Sequence, residues 1–260
     1  MPRRDAAPVG APCWIDLTTS DTGRARDFYG RVFGWDATGP NAEFGGYINF
    51  TKDGAMIAGC MAAMPGGASD IWSVYLAVDD AYKTLGAAQT HGAQVIVPAM
   101  EVGDLGVMGV LVDPAGAATG IWQPKEHRGF GFIAEPGAPS WFQLDTRDFP
   151  GALGFYRDVF GWETTVVSDT PEFRYSLAIV DGEQVAGIMD VSGMPEVPVG
   201  WSVFLGAADT DASLATIVEL GGAMRRPAED TPYGRLAAAA DPLGAGFHLV
   251  AANEAMPAPE

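Results

Sequence analysis

Residues 28 to 35 read Phe-Tyr-Gly-Arg-Val-Phe-Gly-Trp, and residues 155 to 162 read Phe-Tyr-Arg-Asp-Val-Phe-Gly-Trp. Each stretch closes an amphipathic helix. Ala25, Phe28, Tyr29, Val32 and Phe33 recur at i, i+3, i+4, i+7 and i+8. Ala152, Phe155, Tyr156, Val159 and Phe160 repeat that spacing, so each helix carries one apolar stripe for a sheet to cover. Asp21 and Asp148 stand at N-cap positions, and Gly34 and Gly161 suit left-handed stops. The copies lie 127 residues apart (155 − 28), close to half of the 260-residue chain. An internal duplication of this kind favours two domains over one large one.

The neighbouring segments repeat in the same order. Cys13–Thr19 reads as a strand by alternation and β-branching, and Ser140–Thr146 matches it. Two strands over 47–51 and 55–62 meet at Asp53-Gly54, a strong hairpin signal. A second, more diverged unit follows, with a strand over 71–78, a helix opened by Asp79-Asp80, and strands over 93–97, 106–112 and up to Trp122. Trp201-Ser-Val-Phe-Leu echoes Trp72-Ser-Val-Tyr-Leu, and the turn Asp241-Pro-Leu-Gly-Ala echoes Asp113-Pro-Ala-Gly-Ala. The predicted fold is α+β: four βαβββ units in two tandem halves. Half 1 spans 12–124 and half 2 spans 139–252, joined by a linker over 125–138, with flexible ends over 1–11 and 253–260.

Hydrophobic residues make up 48% of the chain and charged residues 18%, enough apolar material for packed cores. The formal charge of −18 argues against nucleic acid and anionic membranes as partners, since both select for basic patches. No run approaches the ~20 apolar residues that span a bilayer, and no apolar signal core follows Met1. Two cysteines form neither a disulfide scaffold nor a metal finger. A cytoplasmic protein is expected, and a monomer built as a pseudo-dimer by duplication fits it.

The two Phe-Tyr-x-x-Val-Phe-Gly-Trp stretches, Val78-Asp-Asp and the two Asp-Pro-x-Gly-Ala turns resemble the vicinal oxygen chelate superfamily. That superfamily includes glyoxalase I, bleomycin-resistance proteins and extradiol dioxygenases. The resemblance runs from about 12 to 252 and points to the duplicated actinobacterial glyoxalase-like branch, which includes proteins of anthracycline gene clusters. It implies that paired units curl their strands into half-open cups, from adjacent or non-adjacent units. Metal-dependent members carry a His on the first strand, a His or Gln on the first strand of the second unit, and a Glu on the last strand. The matching positions here hold Trp14, Ser73 and Gly120 in half 1, and Trp141, Ser202 and His248 in half 2. Trp cannot ligate a metal, Gly has no side chain, and Ser is a poor ligand for a divalent transition ion. No metal and no other cofactor is expected.

Residues two apart on a strand share a face. If Trp14 points into the first cup, so do Asp16 and Thr18, and by parity Ser73, Tyr75, Gly120 and Trp122. The corresponding lining of the second cup is Trp141, Gln143, Asp145, Ser202, Phe204, His248 and Val250. Tyr233, between Pro232 and Gly234, is predicted to overhang a cup rim. Trp14 and Trp141 read equally well as core filling or as ligand wall; Trp35 and Trp162 read as core. Aromatic linings with a few polar groups suit a flat, largely apolar ligand.

Two functions follow. The first is a metal-independent enzyme acting on an aromatic or polyketide-like metabolite of secondary metabolism. It would work by proton transfer (isomerisation, cyclisation or elimination), with Asp16, Tyr75 or His248 as acid and base. Trp14, Ser73, Trp122, Trp141, Gln143, Ser202, Phe204 and Tyr233 are the candidate ligand-binding residues. The second is a protein that binds and sequesters such a molecule, as drug-resistance proteins do. The bland reading of Asp16 is a solvated carboxylate at the cup mouth or one bonded to a backbone amide. His91 and His127 read as structural.

Overall fold

The computed structural model describes residues 6–253. The first half comprises β1 (Pro12–Thr19), α1 (Thr22–Phe33), β2 (Asp36–Ala37), β3 (Ile48–Lys52), β4 (Ala55–Ala62), β5 (Ile71–Ala77), α2 (Ala81–Thr90), β6 (Gln94–Val102), β7 (Gly106–Val112) and β8 (Ala118–Pro124). The second half comprises β9 (Pro139–Thr146), α3 (Phe149–Phe160), β10 (Glu163–Asp169), β11 (Arg174–Val180), β12 (Glu183–Asp190), β13 (Gly200–Gly206), α4 (Thr210–Glu219), β14 (Ala223–Thr231), β15 (Gly234–Ala240) and β16 (Gly246–Ala251).

Four βαβββ units are present, and adjacent units pair. Each half is one open eight-stranded sheet, in the orders β2-β3-β4-β1-β5-β8-β7-β6 and β10-β11-β12-β9-β13-β16-β15-β14. At the centre of each, the first strands of the two units run antiparallel, with Trp14 opposite Tyr75 and Trp141 opposite Phe204. Each first strand is also parallel to the last strand of its own unit.

The repeated helices are capped as their sequences dictate. The Asp21 carboxylate accepts from the Arg24 amide and that of Asp148 from the Gly151 amide, while Gly34 and Gly161 stop the helices at φ 68° and 73°. Asp53 and Gly54 both take positive φ in the hairpin turn. Two elements differ from expectation. The strand predicted over 93–97 continues through Pro98 to Val102, and its counterpart β14 contains Pro227. Both are edge strands, where a missing amide proton breaks no ladder. The second strand of the first unit, between the helix and the 47–51 strand, is only the two-residue β2.

The halves are locked together by the repeated motifs. Tyr29 and Tyr156 are fully buried, each stacked on the Trp that follows its helix, Trp35 and Trp162. The Tyr29 hydroxyl bonds to Asp241 of the opposite half, and Tyr156 bonds to Asp113. Trp35 donates to the Gly137 carbonyl of the linker just before the second half, and Trp162 to the Gly10 carbonyl just before the first. Gly10 and Ala11 are therefore fixed, although they fall within the arm expected to be loose; residues 1–5 and 254–260 lie outside the described residues. Trp72 and Trp201, of opposite parity to the cup residues, lie under this layer and donate to Tyr29 and Thr119. The linker packs too, with Phe130 stacked on Phe142 at a centroid distance of 5.6 Å. No helix among the described residues is long and apolar enough to cross a membrane.

Candidate functional site

The two cups share a frame and differ in what fills it. In the first, the Trp14 indole donates to the Tyr47 hydroxyl at 2.8 Å; in the second, Trp141 donates to Tyr175 at 3.1 Å. A glycine backs each tyrosine. A Cβ on Gly59 would lie 1.7 Å from the Tyr47 hydroxyl, and one on Gly187 would lie 1.8 Å from that of Tyr175. Only a bare backbone leaves room for the phenol there.

The first cup is filled by its own side chains. Asp16 is 8% exposed and accepts from Trp14 at 2.9 Å, from Tyr47 at 2.5 Å and from Tyr75. Burial raises its pKa, and these three donors only partly offset that. Burial and then the Asp16 charge hold Tyr47 and Tyr75 well above the ordinary phenol range, so both remain neutral donors. Gly120 makes the packing possible, because a Cβ there would lie 2.4 Å from the Tyr75 ring. The linker closes the group. His127 sits edge-on to Trp14 at 4.4 Å, and its carbonyl accepts from Trp122. Trp14, Tyr75 and Trp122 are all buried, so each serves here as core. Asp16 is not a solvated rim carboxylate, and its partners are side chains rather than a backbone amide. Ser73 is half-buried opposite it on β5.

The second cup encloses a cavity of about 690 Å³. Trp141, Gln143, Phe204, His248 and Tyr233 line it, as the parity argument places them, Tyr233 from the β14–β15 turn. The walls are mainly aromatic and aliphatic, with residues from β9 and from β11 through β16 converging on one space, which requires the sheet to curl around it. Two neighbours expected beside these do not border the cavity in the same way. Ser202 gives its proton to Asp145 at 2.6 Å, and Asp145 also accepts from the Gln143 amide at 2.7 Å. Burial raises the Asp145 pKa against those bonds.

His248 replaces Gly120 of the first cup, and Phe204 replaces Tyr75. Phe204 and His248 are parallel neighbours in register, their rings stacked at 4.4 Å and 16°. Burial first, and the charge of Arg226 second, lower the His248 pKa to about 4, so the ring is neutral at pH 7. Its Nδ1 is buried without a hydrogen-bond partner. The three proposed acid–base residues are thus divided: Asp16 and Tyr75 bond to each other in the first cup, while His248 stands alone at the second.

Several cavity residues escape a strand-parity reading based on first and last strands. Phe173, Tyr175, Leu177, Arg226 and Glu229 come from β11, β14 and the turn before β11. A usable signal existed for Tyr175, whose place relative to the duplication matches Tyr47.

The residues at the positions implied by metal-dependent relatives do not fit a divalent ion. Both Trp indoles are spent as donors, the space beside Gly120 is occupied by Tyr75, and the Ser202 hydroxyl is committed to Asp145. Among the described residues no three His, Cys, Asp or Glu side chains gather where they could hold a metal.

The model of the Glyoxalase/Bleomycin resistance protein/Dioxygenase superfamily matches residues 13–121 and 139–249. The chain is 36% identical over 268 residues to the anthracycline biosynthesis protein DauV of Streptomyces sp. strain C5, covering 96% of both chains. It is 35% identical over 257 residues to a Mycobacterium tuberculosis protein provisionally named glyoxylase CFP32, covering 96% of this chain and 98% of that one. In structure it resembles the Mn(II)-bound glyoxalase from Novosphingobium aromaticivorans, with a TM-score of 0.65 at 14% identity, over 94% of this chain and 82% of the other. At that identity the likeness concerns the fold alone.

Proposed function

The chain belongs to the Glyoxalase/Bleomycin resistance protein/Dioxygenase superfamily, and from that premise we propose that it binds one flat, largely apolar aromatic molecule in the second cup, without a metal. The observation that carries this reading is the asymmetry of the cups. One frame is filled by the buried Trp14, Tyr75 and Trp122 around Asp16, while its copy holds a cavity of about 690 Å³ walled by Trp141, Phe173, Tyr175, Phe204 and Tyr233. A volume of that size suits a molecule of several fused rings. The relatives named for anthracycline biosynthesis make a polyketide-like aromatic the first candidate.

Binding is favoured over conversion because Asp16 and Tyr75 are tied up in the other cup. His248 is then the one sequence-predicted acid–base group at the cavity, and with a pKa near 4 it is a weak base at neutral pH. Proton transfer by His248 is the second reading, favoured by its unpartnered Nδ1.

The test is incubation of the purified protein with candidate tricyclic and tetracyclic aromatics, followed by native and denaturing mass spectrometry. One unchanged molecule per chain, lost in Trp141→Ala and Phe204→Ala, is the expected result. A product that accumulates beyond one equivalent and disappears in His248→Ala would replace binding with catalysis. A bound divalent ion that survives dialysis would overturn the metal-free reading.

A further inference from the structure

We infer that the ligand of the second cup carries a ketone or quinone-type oxygen, held by the hydroxyl proton of Tyr175 with the Trp141 indole behind it. This inference rests on the second cup being a small-molecule site, and it names the chemistry that site selects. A phenol can donate one proton and accept others. The Tyr175 oxygen already accepts from Trp141 at 3.1 Å, and among the described residues its own proton makes no hydrogen bond.

The duplicated cup shows where that proton goes when the protein consumes it. Tyr47, in the same place behind Trp14, gives its proton to Asp16. In the second cup Gln143 stands at the Asp16 position, and its amide nitrogen is turned to Asp145. The other Asp145 oxygen is taken by Ser202. The carboxylate acceptor is therefore absent and the amide in its place bonds Asp145 rather than the tyrosine, while the Trp donor, the Tyr and the glycine backing it are all retained. What was a closed internal bond in one copy is a donor on the cavity wall in the other.

The geometry also strengthens that donor. A hydroxyl that accepts a bond from an indole is polarised and donates more strongly. Burial pushes its pKa up to about 12, so it keeps its proton throughout the physiological range. Gly187 lets the ring lie flat on the sheet, which fixes the hydroxyl's position. Water can satisfy the proton in an empty cavity. A hydrocarbon that expels the water strands it, and a carbonyl of the same shape does not.

The test compares 9-fluorenone with fluorene, which have the same planar outline and differ by a carbonyl in place of a methylene. Affinities of both are measured by equilibrium dialysis on the full chain, for the native protein, Tyr175→Phe and the first-cup variant Tyr47→Phe. The expected result is a preference for the ketone of about ten- to hundredfold. It should fall to within about twofold in Tyr175→Phe, with fluorene affinity unchanged, and persist in Tyr47→Phe. Equal binding of the two probes, or a preference that survives Tyr175→Phe, overturns the carbonyl inference and leaves the aromatic cavity standing. Binding of neither probe overturns both.

Discussion

The Tyr29 hydroxyl lies 3.2 Å from Oδ2 of Asp241, a residue 212 positions away, and Tyr156 repeats the contact with Asp113 at 3.3 Å. Each aspartate also gathers the amides of its own turn: Leu243, Gly244 and Ala245 for Asp241, Ala115 and Ala117 for Asp113. The two motifs by which the duplication is recognised are therefore bonding partners, each helix clasping the turn of the opposite half. Removing either hydroxyl leaves a buried carboxylate short of a donor. Tyr29→Phe and Tyr156→Phe should each lower stability by about 1–2 kcal/mol in urea unfolding. The double variant should lose the sum, because the clasps share no residues.

Trp14 and Trp141 occupy the same place in the two copies but should fail differently. Trp141→Ala should weaken aromatic ligand binding at least tenfold at modest cost to stability, since Trp141 is partly exposed to the cavity. Trp14→Ala should destabilise the fold by about 3–5 kcal/mol, as for other buried Trp deletions, and leave affinity in the second cup unchanged. Thermal unfolding and dialysis on the same samples separate the two effects.

Gly120→Ala should be costly although it adds one methyl, because its Cβ would lie 2.4 Å from the Tyr75 ring. Overpacking of that kind costs roughly 1–3 kcal/mol. Pairing it with Tyr75→Ala should recover part of the loss, and a double-mutant cycle reads the coupling.

His127 and His248 both have pKa values lowered by burial from 6.5 to about 4. The folded state therefore resists protonation more than the unfolded chain. Their stabilisation is fully present above pH 6.5 and is lost as the pH falls through 4. Between pH 7 and pH 5 each should cost on the order of 1–2 kcal/mol. Urea unfolding at the two pH values should show the loss, and His127→Gln should remove its share of the slope. The raised pKa of Asp16 works with opposite sign, favouring the fold slightly as acidification approaches the carboxylate range.

Much of this architecture is legible in the chain because it depends on local chemistry. Helix stripes, Asp caps, left-handed glycines and the Asp53-Gly54 turn are readable from a few adjacent residues, and a duplication doubles the signal. The alternation on β1 and β9 also places Asp16 and Gln143 on the concave faces. What alternation does not contain is occupancy. That Asp16 is capped by Tyr47 and Tyr75, and that His127 and Phe130 pack onto Trp14, depends on contacts across the sheet and from the linker. For the same reason Tyr175, Arg226 and Glu229 are hard to place at a cavity from sequence: they come from strands beyond the two at the sheet centre.

The clasp has a consequence for how such a site can change. In a symmetric homodimer every substitution arrives twice, so neither copy can be sacrificed to steady the other. Covalent fusion of the two halves removes that constraint, while Tyr29–Asp241 and Tyr156–Asp113 keep the dimer-like contact intact on both sides. One cup is then free to serve as a brace around Asp16, while the other, with Gln143 and His248 at the matching positions, keeps a cavity.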